Sequence, residues 1–291
     1  MTSGPTGRSA RTNSATNFHV IHATDFSDAS EVAFAHALVV ALVHEADLTL
    51  LHTGSVGRGG VDWSKFPGVR PRLASWGILP EGADRKDVAR ELGVNVRKVA
   101  FEGRDPTRRI LKTIDDKAPN FLVLGKRSGE SGWEVVRRSV SEAVARAAVV
   151  PTLVIPDGSR GFVSLNDGSL HLDRVLIGVD RKPDPRLAIA RAASILRFLA
   201  PEGVEVELFH VGDDGAAPDV PDEDLPNARL RRVSRSGDAA EEIVRRAKEN
   251  DADLVVLATQ GRTGFTDALR GSVTERVLNR SASAVLAVPA T

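Results

Sequence analysis

The chain has no cysteine, which excludes a disulfide framework, a thiolate metal site and a cysteine nucleophile, and is compatible with a reducing cytosol. It carries no excess of either charge, since 39 Lys and Arg balance 39 Asp and Glu. That argues against a nucleic-acid coat or a polybasic membrane binder, although a local patch remains compatible with it. Long apolar runs are also missing: the stretches 37–43 and 147–155 fall far short of a membrane span. Residues 1–17, rich in Ser, Thr, Gly and Arg, lack the apolar segment of a secretory signal and are expected to form a disordered tail. A soluble, cytoplasmic protein is therefore expected. Its 291 residues suggest two domains of about 130–150 residues each.

What is present is a repeat. Shifted by 133 positions, 123–156 lies on 256–289 without a gap, pairing Val123 with Val256, Arg137 with Arg270, Ser139 with Ser272, Glu142 with Glu275 and Pro156 with Pro289. Asp105 and Asp238 keep the same offset. Upstream, two apolar runs end in Asp25 and Asp180, and two others in His52 and His210. Each copy alternates strand-like and helix-like segments: strands over 19–23, 48–52, 94–101, 121–124 and 151–155, then over 175–179, 204–210, 229–234, 254–257 and 284–288. Helices are expected over 30–45, 84–92, 106–117 and 139–147, then 185–199, 239–250 and 272–280, with Ser27 or Asp28 capping the first and proline starting the third. β-branched strands separated by helices imply parallel sheets covered on both faces. The expected fold is therefore α/β, with two doubly wound domains over 18–156 and 173–291 joined by a Gly, Ser and Asp-rich linker at 157–172. The first copy carries an insertion holding Trp63 and Trp76. The second has there only an acidic, proline-rich loop, 212–226, which is expected to be solvated.

The stretch LVVLATQGRTGFTDALRGSVTERV at 254–277 concentrates the chemistry. A strand runs into a glycine-containing turn, and Gly271-Ser272 opens a helix. Glycines allow close backbone approach, and the unpaired N–H groups of a helix N-terminus attract an anion such as phosphate. In open α/β sheets ligands bind beyond the carboxyl ends of the strands, where Asp180, Val211 and Ala258 converge. Asp180 suits a ribose hydroxyl or an adenine amine, and Val211 an apolar wall for the base. The candidate set is Gly178, Val179, Asp180, Val211, Ala258, Gly261, Arg262, Gly271, Ser272, Val273 and Thr274, with a degenerate counterpart at Asp25, Gly125 and Ser139. In the first copy Ser128 and Arg138 stand where the second has Gly261 and Gly271. An Asp closing a strand serves equally well to cap the next helix, and the glycine motif alone also fits a plain turn.

The spacing Ala258-x2-Gly261-x9-Gly271-Ser272 resembles the universal stress proteins. So do GRTG at 261–264, SGDAAEEI at 236–243, GSVTERV at 271–277 and the closing AVLAVP. The resemblance covers both halves and implies the adenine nucleotide hydrolase-like fold, ATP as ligand with or without Mg2+, and dimer-like packing through the last strands. Those strands would pair within the chain as a pseudo-dimer or across a homodimer. It further implies a stress or dormancy role with an unidentified protein partner. Ala258 departs from the family's glycine, which matters if the backbone there needs positive φ.

Elsewhere the residues read as structural. His52 and His210 share a strand-end position. His19 and His22 point to opposite faces of one strand and cannot chelate together. Lys126, Arg127, Arg137 and Arg138 read as a solvated rim. No nucleophile triad, metal site or P-loop lysine is recognisable. The function expected is a nucleotide-dependent sensor or adaptor using the second half; the alternatives are a nucleotide-free adaptor and a slow ATPase.

Overall fold

The computed structural model describes residues 18–54, 61–127, 139–159, 161–213, 217–225, 227–259 and 272–290. The tail 1–17 and the motif positions Ser128, Arg137, Arg138, Gly261, Arg262 and Gly271 lie outside them. The first half runs β1 (His19–Thr24), α1 (Asp28–Val43), β2 (Asp47–Gly54), α2 (Val69–Ser75), α3 (Arg85–Leu92), β3 (Asn95–Glu102), α4 (Pro106–Lys117), β4 (Phe121–Lys126), α5 (Val140–Ala147) and β5 (Thr152–Pro156). The second runs β6 (Arg174–Gly178), α6 (Arg186–Leu199), β7 (Val204–Val211), β8 (Ala228–Arg235), α7 (Ala239–Glu249), β9 (Leu254–Thr259), α8 (Val273–Arg280) and β10 (Ala284–Pro289).

All ten strands form one sheet in the order β3-β2-β1-β4-β5-β10-β9-β6-β7-β8. Read inward from either end, the halves have the same order, and within each half every neighbouring pair is parallel. The halves meet at an antiparallel pair, with Leu153 opposite Leu286 and Val154 opposite Val285. Neither closing strand is left as an apolar edge open to other chains. The strand order reverses between β1 and β4 and again between β6 and β9, the two places where such sheets leave a crevice for a ligand.

Both faces of the sheet are covered, which is why the central strands are apolar at nearly every position: all six residues of β10 are buried. Helix α1 is apolar all round and buried over most of its length, because it lies against β1, β4 and β5 and against α6 of the other half. On that face one core runs through both halves, from Val20 and Phe34 to Val175 and Ile189. The opposite face holds two clusters, one around Ile110, Ile114 and Val144 and one around Ile243, Val277 and Leu278. Helix starts are capped as the sequence requires. Ser27 caps α1, while Asp105 and Asp238 accept from the N–H groups of Arg108 and Glu241 at 3.0 and 3.1 Å.

Two connections are more ordered than their composition suggests. The segment 161–172 folds back on the first half as a turn closed by a Val163–Leu170 bridge, and Phe162, Val163 and Leu172 are buried. Trp76 Nε1 and Arg72 Nη1 both donate to the Leu165 carbonyl at 3.0 Å. His36 of α1 is wholly buried against this segment; its Nε2 accepts the Phe162 N–H at 3.0 Å, so Nδ1 carries the proton and donates to the Val32 carbonyl at 2.8 Å. In the acidic loop Val220 and Leu225 are buried, and Arg232 of β8 donates to the Val220 carbonyl (2.7 Å) and pairs with Asp222 (2.5 Å). The expectation of a wholly solvated loop is corrected to this extent: two apolar side chains in it are enough to dock it.

Candidate functional site

The second half holds a cavity of about 290 Å³ beyond the carboxyl ends of β6, β7 and β9. Gly178 and Val179 reach it from β6, Asp180 from the turn after it, Val211 from β7, Ala258 and Thr259 from β9, and Ser272, Val273 and Thr274 from the start of α8. Eight of the eleven second-half residues predicted from sequence thus come together, and the other three, Gly261, Arg262 and Gly271, lie outside the described residues. Ser272 caps α8, its Oγ accepting the Glu275 N–H at 3.2 Å, which leaves the hydroxyl proton to donate. The next N–H groups of the helix are those a phosphate would use. Asp180 is exposed at the mouth, with one carboxylate oxygen accepting from the Arg181 N–H at 2.6 Å.

Two glycine positions change meaning here. A Cβ on Gly178 would stand 2.7 Å from Leu257 Cδ2 and 3.4 Å from Ile243 Cδ1, so this glycine lets the two strand ends and α7 pack together under the cavity. Ala258 is not among the positive-φ residues of the described chain, so its methyl strains nothing and becomes part of the wall.

The corresponding strand ends of the first half are arranged differently. Helix α1 begins three residues after Asp25, whereas α6 begins six residues after Asp180. The earlier helix start lands on Gly125, where a Cβ would meet Ser30 N at 2.6 Å and Ala29 O at 2.8 Å. Asp25 accepts from both the N–H and the hydroxyl of Ser27, holding the capping turn of α1, and Phe26 takes φ 64 beside it. The Phe26 ring stacks on His52 at 4.2 Å and meets Phe66 edge-on at 5.4 Å; Phe66 comes from the first-half insertion. Ser139 shares a hydrogen bond with the Ser141 hydroxyl (2.7 Å) and caps no N–H group.

Lys126, expected on a solvated rim, instead turns inward. Its ammonium lies 3.4 Å from Glu142 Oε1 and 3.5 Å from the Asn279 carbonyl, across the join between the halves. The carboxylate of α5, shielded from water, holds it there. His52 and His210 occupy matching positions and do matching work, each donating from Nδ1 to the carbonyl just before the strand-end Asp, at Thr24 (2.8 Å) and Val179 (3.1 Å).

Several lining residues were not predicted. Phe209, Ile243 and Leu257 form the apolar floor, Lys182 and Pro183 the outer edge, and Thr259 lies beside Ala258. Arg146 comes from α5 of the first half; a reading that treats each repeat as self-contained cannot find it. Below the cavity α7 is fixed to the sheet by a buried pair. Arg246 donates to both oxygens of Glu207 at 2.6 Å, and Asn250 Nδ2 donates at 2.9 Å. Burial alone would raise the Glu207 pKa, but these donors outweigh it and hold it below its ordinary value. Asp238, which caps α7, is likewise held low, chiefly by its two 2.8 Å hydrogen bonds from Arg276.

The Universal stress protein family matches the chain over residues 17–156 and 224–289. A universal stress protein of Mycolicibacterium smegmatis is 24% identical over 316 residues, spanning 94% of this chain and 98% of its own. A universal stress protein of Methanothermobacter thermautotrophicus is 44% identical over 54 residues, 19% of this chain and 36% of that one. Among solved structures, a universal stress protein of Archaeoglobus fulgidus superposes with a TM-score of 0.63 at 19% identity, covering 93% of this chain and 96% of that one.

Proposed function

This chain belongs to the universal stress protein family, and from that premise we propose that it binds an adenine nucleotide, ATP, in the cavity of its second half and acts as a nucleotide-dependent sensor or adaptor in a stress response. The observation that carries this reading is the asymmetry between two copies of one frame. The second copy keeps a cavity edged by Asp180, Val211 and the capped start of α8, while at the position equivalent to the cavity's Thr259 the first copy carries Lys126, seated on Glu142.

In this reading Asp180 accepts from the ribose hydroxyls, and Val211, Phe209 and Ile243 give the base its apolar contact. The Ser272 hydroxyl and the N–H groups of Val273 and Thr274 take the phosphates, together with Gly261, Arg262 and Gly271 of the sequence motif. Asp180 is the one carboxylate on the described lining. Among the described residues no cluster of acids or histidines is suited to a metal on its own. A magnesium ion would therefore enter on the phosphates. Occupancy acts on a partner only through different affinities of the filled and empty states.

The test is a matched pair of variants. Asp180→Ala is expected to weaken ATP binding by about tenfold to a hundredfold, the worth of a hydrogen bond to a charged group, whereas Asp25→Ala leaves it unchanged. Calorimetric titration of both, with mass spectrometry for co-purified nucleotide, decides it. Equal losses, or no binding by the parent, would sink the proposal. The nucleotide-free adaptor reading is favoured by one observation, the Lys126–Glu142 pair at the matching place in the first half, and would then take its place.

A further inference from the structure

We infer that Arg146, carried by the first half, is a phosphate-gripping residue of the second half's cavity, so that an anionic ligand there is held by both halves at once. The inference rests on the nucleotide reading of that cavity and adds to it a specificity residue from across the pseudo-twofold join.

The repeat makes the point sharply. Glu142 on α5 and Glu275 on α8 are equivalent positions, and each has a basic partner, but from different sources. Glu142 takes Lys126, from the end of β4 in its own half, at 3.4 Å. The residue equivalent to Lys126 in the second half is Thr259, too short to reach Glu275. Glu275 instead has Arg146 of the other half, Nη1 to Oε2 at 4.0 Å. The counterpart of Arg146 is Asn279, which offers the first half only its backbone carbonyl, to Lys126. Exchanging lysine for threonine on one side and asparagine for arginine on the other empties the second site and aims a guanidinium at it.

Two further observations place that guanidinium toward a ligand. Arg146 lines the same cavity as Ser272, Val273 and Thr274 and meets Glu275 in the first turn of α8. Thr259, also on the lining, has its Oγ1 buried without a hydrogen-bond partner. A planar, permanently charged fork fits a phosphate group bidentately. The ligand class is therefore a nucleotide with a polyphosphate tail rather than a nucleoside. Because Arg146 sits on α5, packed against α8 at the join, filling the cavity ties the first half to the second.

The experiment compares ATP, adenosine and inorganic tripolyphosphate on the full chain and on its Arg146→Gln and Arg146→Lys variants. Expected is a loss of about tenfold or more in affinity for ATP and tripolyphosphate on Arg146→Gln, partial recovery on Arg146→Lys, and unchanged adenosine binding, which also reports that the variant is folded. ATP affinity unchanged in Arg146→Gln, or lost in step with adenosine, would overturn the inference while leaving the nucleotide reading intact. A parent chain that binds tripolyphosphate through Arg146 but no adenosine would sink the adenine reading and spare the inference. A parent that binds none of the three would sink both.

Discussion

Acidification should weaken this fold in part through one ring, His36. The ring is fully buried between α1 and the 161–172 segment, and it has one proton to place. Nδ1–H goes to the Val32 carbonyl, and Nε2 must stay bare because the Phe162 N–H points at it. Protonation would set two donors face to face in a site without water's dielectric. Burial therefore pushes the pKa from 6.5 down to about 4, against a small upward pull from the Val32 carbonyl. Since the folded value lies below the unfolded one, the unfolded chain takes up its proton first. Stability from this group is full above pH 6.5 and is lost as pH falls from there towards 4. At about 1.36 kcal/mol per unit, the loss approaches about 3 kcal/mol in full and is about 2 kcal/mol by pH 5, a large part of the 5–15 kcal/mol typical of a domain. His22, also buried and lowered to about 4 by burial, shifts in the same direction, so the wild type alone cannot isolate the effect. The assay is urea unfolding of wild type and His36→Gln at pH 7 and pH 5. The variant is less stable at pH 7 but should lose about 2 kcal/mol less than wild type between the two pH values. Parallel losses in the two proteins would refute the assignment of an uncharged, acceptor Nε2.

Gly161 stands under the same ring at φ 63, and a Cβ there would come 2.2 Å from His36 Cε1. Gly161→Ala should cost about 2 kcal/mol or more from the left-handed backbone and the clash, read as a lower urea midpoint. Glu207→Ala would leave the Arg246 guanidinium only the more exposed Glu249, at 3.3 Å, at a cost of about 3 kcal/mol, the low end for a broken buried pair. A loss under about 1 kcal/mol, the worth of an exposed pair, would mean that water reaches the Glu207–Arg246 pair. Thr259→Lys should place in the second half what Lys126 is in the first, a lysine seated on the α8 glutamate. ATP affinity should then fall by about tenfold or more with little change in thermal midpoint, and full retention of affinity would show that the cavity is not the binding site.

The sequence carried the frame well, because strands buried on both faces and capped amphipathic helices leave strong local marks. The helix at Pro106–Lys117 was legible to its last residue, since proline and an Asp cap define its start. Helix α2, inside the insertion holding Trp63 and Trp76, was not anticipated: Gly68 is its N-cap and Pro71 falls in its first turn, where no N–H is required. The linker and the acidic loop were read by composition, and composition does not register that Phe162, Val220 and Leu225 suffice to dock them. Eight cavity residues were found because they sit at the ends of recognisable strands and of one recognisable helix.

What the repeat concealed was its own asymmetry. Aligning the copies shows which residues correspond, and so makes Lys126 and Thr259, or Arg146 and Asn279, look like drift at unimportant positions. The antiparallel β5–β10 join gives those pairs their meaning, because it brings α5 and α8 together and lets a residue of one copy act in the other. Lys126 pairs with Glu142 of its own half and reaches the second half's Asn279 carbonyl, while Arg146 crosses the join and stands at Glu275. The four side chains form one device around the pseudo-twofold. A lysine returned to position 259 would compete with Arg146 for Glu275.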